Sequence, residues 1–135
     1  MKKAVLDSFA VLAFLFKEPG HEKVLKLLET ATEEDETVFV AAPNWAEIRY
    51  IVHRRKGVEE WNLVRDSLLS LPIQVVSIDR SLAESTGEIK ATKKMSLADC
   101  FAAALAKDLK AELYTGDPEF KEVEKDIKII WLSQK

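Results

Sequence analysis

The feature that most constrains the fold is a short apolar run that stops abruptly on a carboxylate. Ala4, Val5 and Leu6 are residues that fill a buried strand, and Asp7 follows them directly. The next run, Ser8 to Phe16, is apolar all round, which is typical of a buried helix. A strand that leads straight into a helix predicts the central strand of a parallel sheet, with Asp7 at its carboxyl end. Ligands bind at that edge of an open α/β sheet, where the strand order reverses.

Length and composition favour one ordered domain over residues 1–135, of which 47% are hydrophobic and 32% charged. The formal net charge of −3 argues against a protein that coats nucleic acid through bulk charge, although it allows a local basic rim. The one cysteine, Cys100, cannot form an internal disulfide, which fits a reducing compartment. The longest apolar run, 9–16, is far shorter than the about 20 residues of a membrane span. We therefore expect a soluble, cytoplasmic protein that does not enter a membrane.

Strand-like and helix-like segments alternate along the rest of the chain. After the first strand, further strands are predicted at 37–42, 73–78, 113–115 and 127–131. Helices are predicted at 8–16, 21–29, 44–57, 80–90 and 97–108, with one more that carries Trp61, Val64 and Leu68. Such alternation favours parallel pairing through right-handed crossovers. The expected fold is a three-layer α/β/α sandwich with a parallel sheet of four or five strands.

Four acids each lie at or near the start of a predicted helix: Asp7, Glu47, Asp99 and Asp117. Acids in such places commonly cap free amides and complement the helix dipole, so each has a purely structural explanation. Asn44 stands three residues before Glu47, which is the spacing of a capping box, and Ser96 stands three before Asp99. Pro118, after Asp117, suits the first position of a helix. Taken singly, none of the four acids identifies a functional site.

Asp99 is the acid for which capping alone is least satisfactory. From Leu97 through Ala106 it is the only charged residue, so its helix is expected to be buried. A buried carboxylate needs a partner such as a cation. If the strand at 113–115 lies beside the first strand, Asp7 and Asp117 leave the same edge of the sheet. Glu47 and Asp99 then come from helices whose starts face that edge.

A cluster of these acids would require a cation. Two carboxylates about 4 Å apart repel each other by about 4 kcal/mol at the effective dielectric of a protein surface. Because neither histidine stands at ligand spacing from a cysteine or a second histidine, the donors are hard oxygens, which select Mg²⁺ or Mn²⁺ over Zn²⁺. An all-carboxylate site of this kind suggests phosphoryl chemistry. Arg54, on the side of the helix that carries Glu47, is either part of an ordinary charged helix end or a phosphate contact.

Four segments together resemble the acidic signature of PIN-domain nucleases, and their size and order fit the VapC-type toxins of toxin–antitoxin pairs. The segments are Val5-Leu6-Asp7-Ser8, Asn44-Trp45-Ala46-Glu47, 96–104 and 114–120. The resemblance implies an endoribonuclease, dependent on Mg²⁺ or Mn²⁺, that hydrolyses RNA phosphodiesters with a metal-activated water. It implies that the metal-binding and catalytic residues are Asp7, Glu47, Asp99 and Asp117, with a hydroxyl from Ser8 or Thr115 nearby.

The resemblance also implies a homodimer that is silenced by a cognate antitoxin protein, whose tail lies in a groove and blocks the acidic site. One departure from the family pattern is Phe9, where a small polar residue is common. Aromatic residues support a protein partner independently, because they anchor interfaces, although core packing is their other use. These aromatic residues are Phe9, Phe14, Phe16, Trp45 and Trp61.

Three alternatives remain open from the sequence. A PIN-like fold could act without catalysis, as an RNA- or protein-binding module. The same chemistry could act on structured DNA. A phosphoacceptor receiver domain would also place acids at strand ends with Mg²⁺, but it needs an acidic pair after the first strand and a lysine after the last. Here Asp7 stands alone and Leu132-Ser133-Gln134 follows the last predicted strand.

Overall fold

Five parallel strands form one sheet in a computed structural model that describes residues 1–133. In chain order they are β1 (Ala4–Leu6), β2 (Val38–Ala41), β3 (Ile73–Val76), β4 (Glu112–Thr115) and β5 (Ile129–Trp131). Across the sheet they run in the order β3-β2-β1-β4-β5, with every neighbouring pair parallel. The predicted parallel sheet, with β1 at its centre, is confirmed.

Helices cover both faces of this sheet. They are α1 (Ser8–Leu15), α2 (His21–Glu33), α3 (Ala42–Lys56), α4 (Val58–Ser70), α5 (Arg80–Thr92) and α6 (Leu97–Leu109), with a 3₁₀ helix at Pro118–Val123. Alternate residues of β1 face opposite layers: Ala4 and Leu6 pack with α1 to α4, whereas Val5 packs with α5, α6 and the 3₁₀ helix. The three-layer α/β/α sandwich is therefore confirmed. Among residues 1–133, none of the helices combines the length and apolar character that a membrane crossing needs.

The strand order reverses between β1 and β4. The chain moves outward from β1 to β2 and β3, returns to pair β4 with the other side of β1, and ends on β5. Leu6 at the end of β1 pairs with Tyr114 near the end of β4, so these two strands finish side by side. Ligand sites of open α/β sheets lie at such a point. The order also differs from the 2-1-3-4-5 arrangement of receiver domains, which excludes that alternative.

Several element boundaries differ from the predicted ones. Helix α2 continues to Glu33, so part of the acidic run at 32–36 is helical rather than a loop. Helix α3 begins at Ala42, before Asn44, because Pro43 fits the first turn of a helix. Gly20 starts α2 with φ at 92°, and a Cβ there would lie 2.5 Å from Cβ of Leu132. Only glycine combines that conformation with that close approach.

Core packing accounts for most of the aromatic residues. Trp61 is buried and meets Trp45 edge to face, with 5.5 Å between the ring centroids. Phe14 and Phe16 are partly buried against the same core. Phe9 is the exception, because 41% of its surface stays exposed. Four of these five side chains therefore give no independent support for a protein partner.

Candidate functional site

Asp7 lies between β1 and α1 and is almost completely buried, with 1% of its surface exposed. Its Oδ1 accepts a hydrogen bond from the backbone N–H of Ala10 at 2.8 Å and so caps α1, while Oδ2 accepts one from the hydroxyl of Thr115. The pKa of the Asp7 carboxyl is raised from 3.8 to about 7, mainly by burial and in smaller part by the charges of Asp117 and Glu47. The two hydrogen bonds offset only part of this rise. Asp7 therefore both caps a helix and lies in the field of two other acids.

Thr115 and Asp117 bring the end of β4 to the same point. The buried Thr115 hydroxyl, which donates to Asp7, also accepts a hydrogen bond from the backbone N–H of Asp117 at 3.0 Å. Asp117 in turn accepts one from the N–H of Glu119 at 2.9 Å and caps the 3₁₀ helix. Thr115 thus links the two acids across the switch point between β1 and β4.

Asp99 lies in the first turn of α6 and is 7% exposed, as the absence of a polar face predicted. Its backbone N–H donates to the hydroxyl of Ser96 at 3.2 Å, which is one half of the expected capping box. The pKa of the Asp99 carboxyl is raised from 3.8 to about 8, mainly by burial and also by the charges of Asp117, Asp7 and Glu119. The hydroxyl of Ser96 lowers it in part. Asp99 therefore lies among the same acids as Asp7.

Glu119 joins this group, although the sequence did not single it out. Asp99, Asp117 and Glu119 each offer a carboxylate oxygen, and these three oxygens lie within 4.8 Å of one another. The backbone N–H of Ser96, which a complete capping box would give to Asp99, donates to the carboxylate of Glu119 instead. The available sequence signal was its place two residues after Asp117, in the first turn of the 3₁₀ helix. Glu119 therefore ties the start of α6 to the end of β4.

Glu47 lies on α3, and Asp7 is the member of the cluster that its charge affects. Its carboxylate accepts a hydrogen bond from the Ser8 hydroxyl, and its charge raises the pKa of Asp7. The predicted capping box with Asn44 is wrong, because α3 begins two residues earlier and Asn44 lies inside its first turn. Asn44 is buried and donates to the backbone oxygen of Ala98 at 3.2 Å, which joins α3 to α6. Its Oδ1 is buried without a hydrogen-bond partner among residues 1–133.

The secondary candidates divide into two kinds. The hydroxyls of Ser8 and Thr115 contact the acids directly, since each donates to a carboxylate of the cluster. Arg54 instead stacks on Tyr50, with its guanidinium carbon 4.8 Å from the ring centroid. No hydrogen bond or ion pair in the described part of the chain joins Arg54 to an acid of the site. The contacts therefore support Ser8 and Thr115 as members of the site more directly than Arg54.

The resulting site is acidic and partly buried. Within residues 1–133, no lysine, arginine or histidine forms an ion pair with any member of the cluster. Its members are Asp7, Glu47, Asp99, Asp117 and Glu119. Carboxylates so close together raise one another's pKa unless a cation is present. The donors are all hard oxygens, which suits Mg²⁺ or Mn²⁺ and gives no ligand characteristic of zinc.

Comparisons with known proteins agree with this architecture. The family profile of the PIN domain matches residues 4–126. A search of curated proteins finds no significant sequence match. The VapBC2 complex of Rickettsia felis, solved bound to a DNA fragment from its promoter, aligns with a TM-score of 0.77 and 19% identity over 94% of this chain and 96% of that chain.

Two further solved structures have the same fold. A toxin–antitoxin complex from Klebsiella pneumoniae gives a TM-score of 0.74 at 16% identity, covering 98% of this chain and 100% of that chain. The toxin VapC20 of Mycobacterium tuberculosis, described as cleaving the sarcin–ricin loop, gives 0.63 at 17% identity, covering 88% of this chain and 93% of that chain. At such identities the structural likeness establishes the fold.

Proposed function

Since this chain belongs to the PIN domain family, we propose that it is a divalent-metal-dependent endoribonuclease and the toxin of a toxin–antitoxin pair. The observation that carries the proposal is the grouping of carboxylates from β1, α3, α6 and the end of β4 at the switch point of the sheet. No cationic side chain within residues 1–133 is paired with them. Such a concentration of negative charge favours binding of a divalent cation.

The donor set fits Mg²⁺ or Mn²⁺. Asp99, Asp117 and Glu119 would hold the ion together with Asp7, whose charge raises the pKa of Asp99. Glu47 would complete the set from the other side of Asp7. When bound, the ion supplies a water of lowered pKa and stabilises negative charge on a phosphate.

The remaining side chains orient these acids and set their protonation. Thr115 directs one oxygen of Asp7, and Ser8 directs Glu47, so the hydroxyls limit the rotation of both carboxylates. With pKa values of about 7 and 8, Asp7 and Asp99 hold protons near neutral pH in the metal-free protein. A cation must displace those protons, so binding releases them and strengthens as the pH rises.

Solved relatives support the substrate and the partner. The fold of this chain matches that of a toxin described as cleaving the sarcin–ricin loop, which supports a ribonuclease. It also matches the fold found in toxin–antitoxin complexes, which supports a cognate antitoxin partner. That the antitoxin covers the acidic site is proposed on the resemblance of the four acidic segments. A homodimer and a cytoplasmic location complete the proposal, on the resemblance of the four acidic segments.

The test is the variant Asp99→Asn, with Asp108→Asn as the matched control on the exposed end of the same helix. We expect the wild type and Asp108→Asn to cleave single-stranded RNA with Mg²⁺ or Mn²⁺, and EDTA to abolish cleavage. Asp99→Asn should fold with an unchanged or higher melting temperature and lose at least about 100-fold in kcat/KM, because a direct ligand matters at least as much as an outer-shell partner. Undiminished cleavage by Asp99→Asn, or cleavage that persists in EDTA, would refute the proposed site. Cleavage of DNA alone would refute the RNA substrate.

A further inference from the structure

Phe9 is exposed where the residues around it are buried. Its neighbours Ser8, Ala10, Val11 and Leu12 are all buried, whereas 41% of Phe9 is exposed to solvent. An aromatic ring at the surface loses the stabilisation that burial would give it. The exposed position therefore calls for an explanation other than core packing.

The Phe9 ring is seated directly on Gly116. A Cβ built on Gly116 would lie 2.2 Å from Cε1, 2.7 Å from Cζ and 2.9 Å from Cδ1 of the ring, so no other residue fits there without moving it. Gly116 does not have the positive φ that would itself require glycine. Gly116 is needed instead because the absence of a side chain leaves room for the Phe9 ring, which packs against the backbone at the end of β4.

This position places the ring at the edge of the acidic site. Phe9 follows Asp7 and Ser8 on one side of the switch point, and Gly116 lies between Thr115 and Asp117 on the other. Thr115 is hydrogen-bonded to Asp7 and to the backbone of Asp117. These bonds hold together the segment that carries the ring and the segment on which the ring rests. The Phe9 ring is therefore fixed next to the carboxylates and still open to solvent.

We propose that Phe9 is a stacking platform for the nucleobase beside the scissile phosphate of single-stranded RNA, an inference that rests on the proposed nuclease function. Bases of single strands stack on aromatic side chains, and a nucleotide whose phosphate lies at the acids has its base one sugar away. The platform selects unpaired RNA, because only a base that is free of its own stack can reach the ring.

The surroundings favour a base over a protein segment as the occupant. Protein interfaces bury clustered apolar anchors within a patch of several hundred square ångströms. Phe9 is instead a single ring that follows Asp7 and Ser8 in the chain and rests on Gly116, which lies between Thr115 and Asp117. A flat, uncharged base suits a single aromatic ring that lies beside carboxylates.

The experiment is a double-mutant cycle in which the protein change is Phe9→Leu and the RNA change is removal of one base. The substrate is a labelled single-stranded RNA with a mapped cleavage site, and abasic versions lack the base on one or the other side of the scissile phosphate. We expect one abasic substitution to lower kcat/KM of the wild type by about 5- to 150-fold, which is the range for loss of one stacked base. The same substitution should cause little further loss in Phe9→Leu, because the ring that stacks on the base is already absent. Phe9→Tyr should retain the wild-type behaviour.

Controls separate stacking from folding and from the proposed function. Leu63→Ala removes a 65% exposed apolar side chain from α4, which packs on α3 and β3, and should behave as the wild type. A melting temperature close to that of the wild type would establish that Phe9→Leu is folded. The affinity of the same proteins for the same RNAs, measured by fluorescence anisotropy with Ca²⁺ in place of the other metals, gives a second cycle that does not depend on cleavage.

Each outcome decides between the inference and the proposed function. Equal losses in the wild type and Phe9→Leu at both positions would overturn the stacking platform, even if cleavage proceeds normally. Weaker antitoxin binding by Phe9→Leu with unchanged RNA binding and cleavage would overturn it as well, and would make Phe9 a protein anchor. If the wild type cleaves no RNA with either metal, the proposed function fails, and the affinity cycle alone then confirms or refutes stacking.

Discussion

Replacing Asp7 by asparagine is expected to stabilise the metal-free protein at pH 8. Asparagine keeps the oxygen that caps the N–H of Ala10, and it is as good an N-cap as aspartate. The hydroxyl of Thr115 can accept a hydrogen bond from the new amide, so the contact between β1 and β4 persists. What the substitution removes is a buried negative charge beside the charges of Asp117 and Glu47.

The magnitude follows from the pKa of Asp7, which burial and the nearby charges of Asp117 and Glu47 raise from 3.8 to about 7. The folded protein holds the proton more tightly than the unfolded chain, so the free energy of unfolding falls as the pH rises from about 4 to about 7. At about 1.4 kcal/mol per pKa unit, the full loss is about 4 kcal/mol. This is a large share of the roughly 5–15 kcal/mol by which domains are stable. Asp7→Asn does not titrate there, so its advantage grows from near zero at pH 4 to about 4 kcal/mol at pH 8.

Urea denaturation in EDTA, followed by tryptophan fluorescence, measures this difference between pH 4 and pH 8. Asp79→Asn is the matched control, because Asp79 also caps a helix through a 2.8 Å hydrogen bond, to the N–H of Leu82, but is exposed and outside the cluster. We expect Asp79→Asn to follow the pH dependence of the wild type. At pH 8, Mg²⁺ or Mn²⁺ at 100 times its Kd should reduce the advantage of Asp7→Asn by more than half, since that concentration adds about 2.7 kcal/mol to the wild type that binds the ion.

Two results would refute this reasoning. If the wild type and Asp7→Asn lose stability in parallel from pH 4 to pH 8, the Asp7 carboxylate is not destabilised by its burial. If the advantage of Asp7→Asn is present but Mg²⁺ and Mn²⁺ stabilise neither protein, the acids form a cluster that does not bind these ions. The first result would contradict the electrostatics of the site, and the second would contradict only the proposal that the site binds Mg²⁺ or Mn²⁺.

Two further substitutions test the packing that supports the site. Gly116→Ala should lower the free energy of unfolding by about 1 kcal/mol, at the low end for overpacking because the exposed ring of Phe9 can shift, and adding Phe9→Ala should remove this cost. Gly87→Ala, in a helix and with open space around it, should instead be stabilising in the same denaturation assay. Asn44→Ala should cost about 0.5–1.5 kcal/mol of unfolding free energy, because it removes the hydrogen bond that Asn44 donates to the carbonyl of Ala98. An unchanged denaturation midpoint for Asn44→Ala would show that this bond does not hold α3 to α6.

The parts of the fold that were predictable are those that depend on local pattern. An apolar run followed directly by Asp7 indicated the central strand, and the apolar helix around Asp99 indicated burial; both are found. Parallel pairing followed from the alternation of strands and helices, since a crossover helix brings the chain back so that the next strand runs in the same direction as the first. These features need only the neighbours along the chain, which the sequence contains.

The parts that were missed depend on contacts between distant segments. Glu119 belongs to the acidic group because the 3₁₀ helix turns it toward Ser96, which is 23 residues away in sequence. The spacing of Asn44 and Glu47 offered a capping box as the structural explanation of Glu47, but the hydrogen-bond partner of Glu47 is Ser8, at a separation of 39 residues. In both cases a nearby residue satisfied the local capping pattern, and tertiary packing supplied a different partner. Local spacing cannot distinguish a capping partner from a distant one, because the sequence around the acid is the same in both cases.

Capping and metal binding, which competed as explanations of each acid in the sequence, are compatible in the structure. Asp7 uses Oδ1 for the N–H of Ala10 and has Oδ2 on Thr115, so one oxygen fixes the carboxylate while the other faces the end of β4. Asp117 likewise caps the 3₁₀ helix and still contributes an oxygen to the group with Asp99. A cap holds a carboxylate in one rotamer, which is what a preorganised cation site requires. The helix starts therefore do not compete with the site for these acids but hold them at the edge of the sheet.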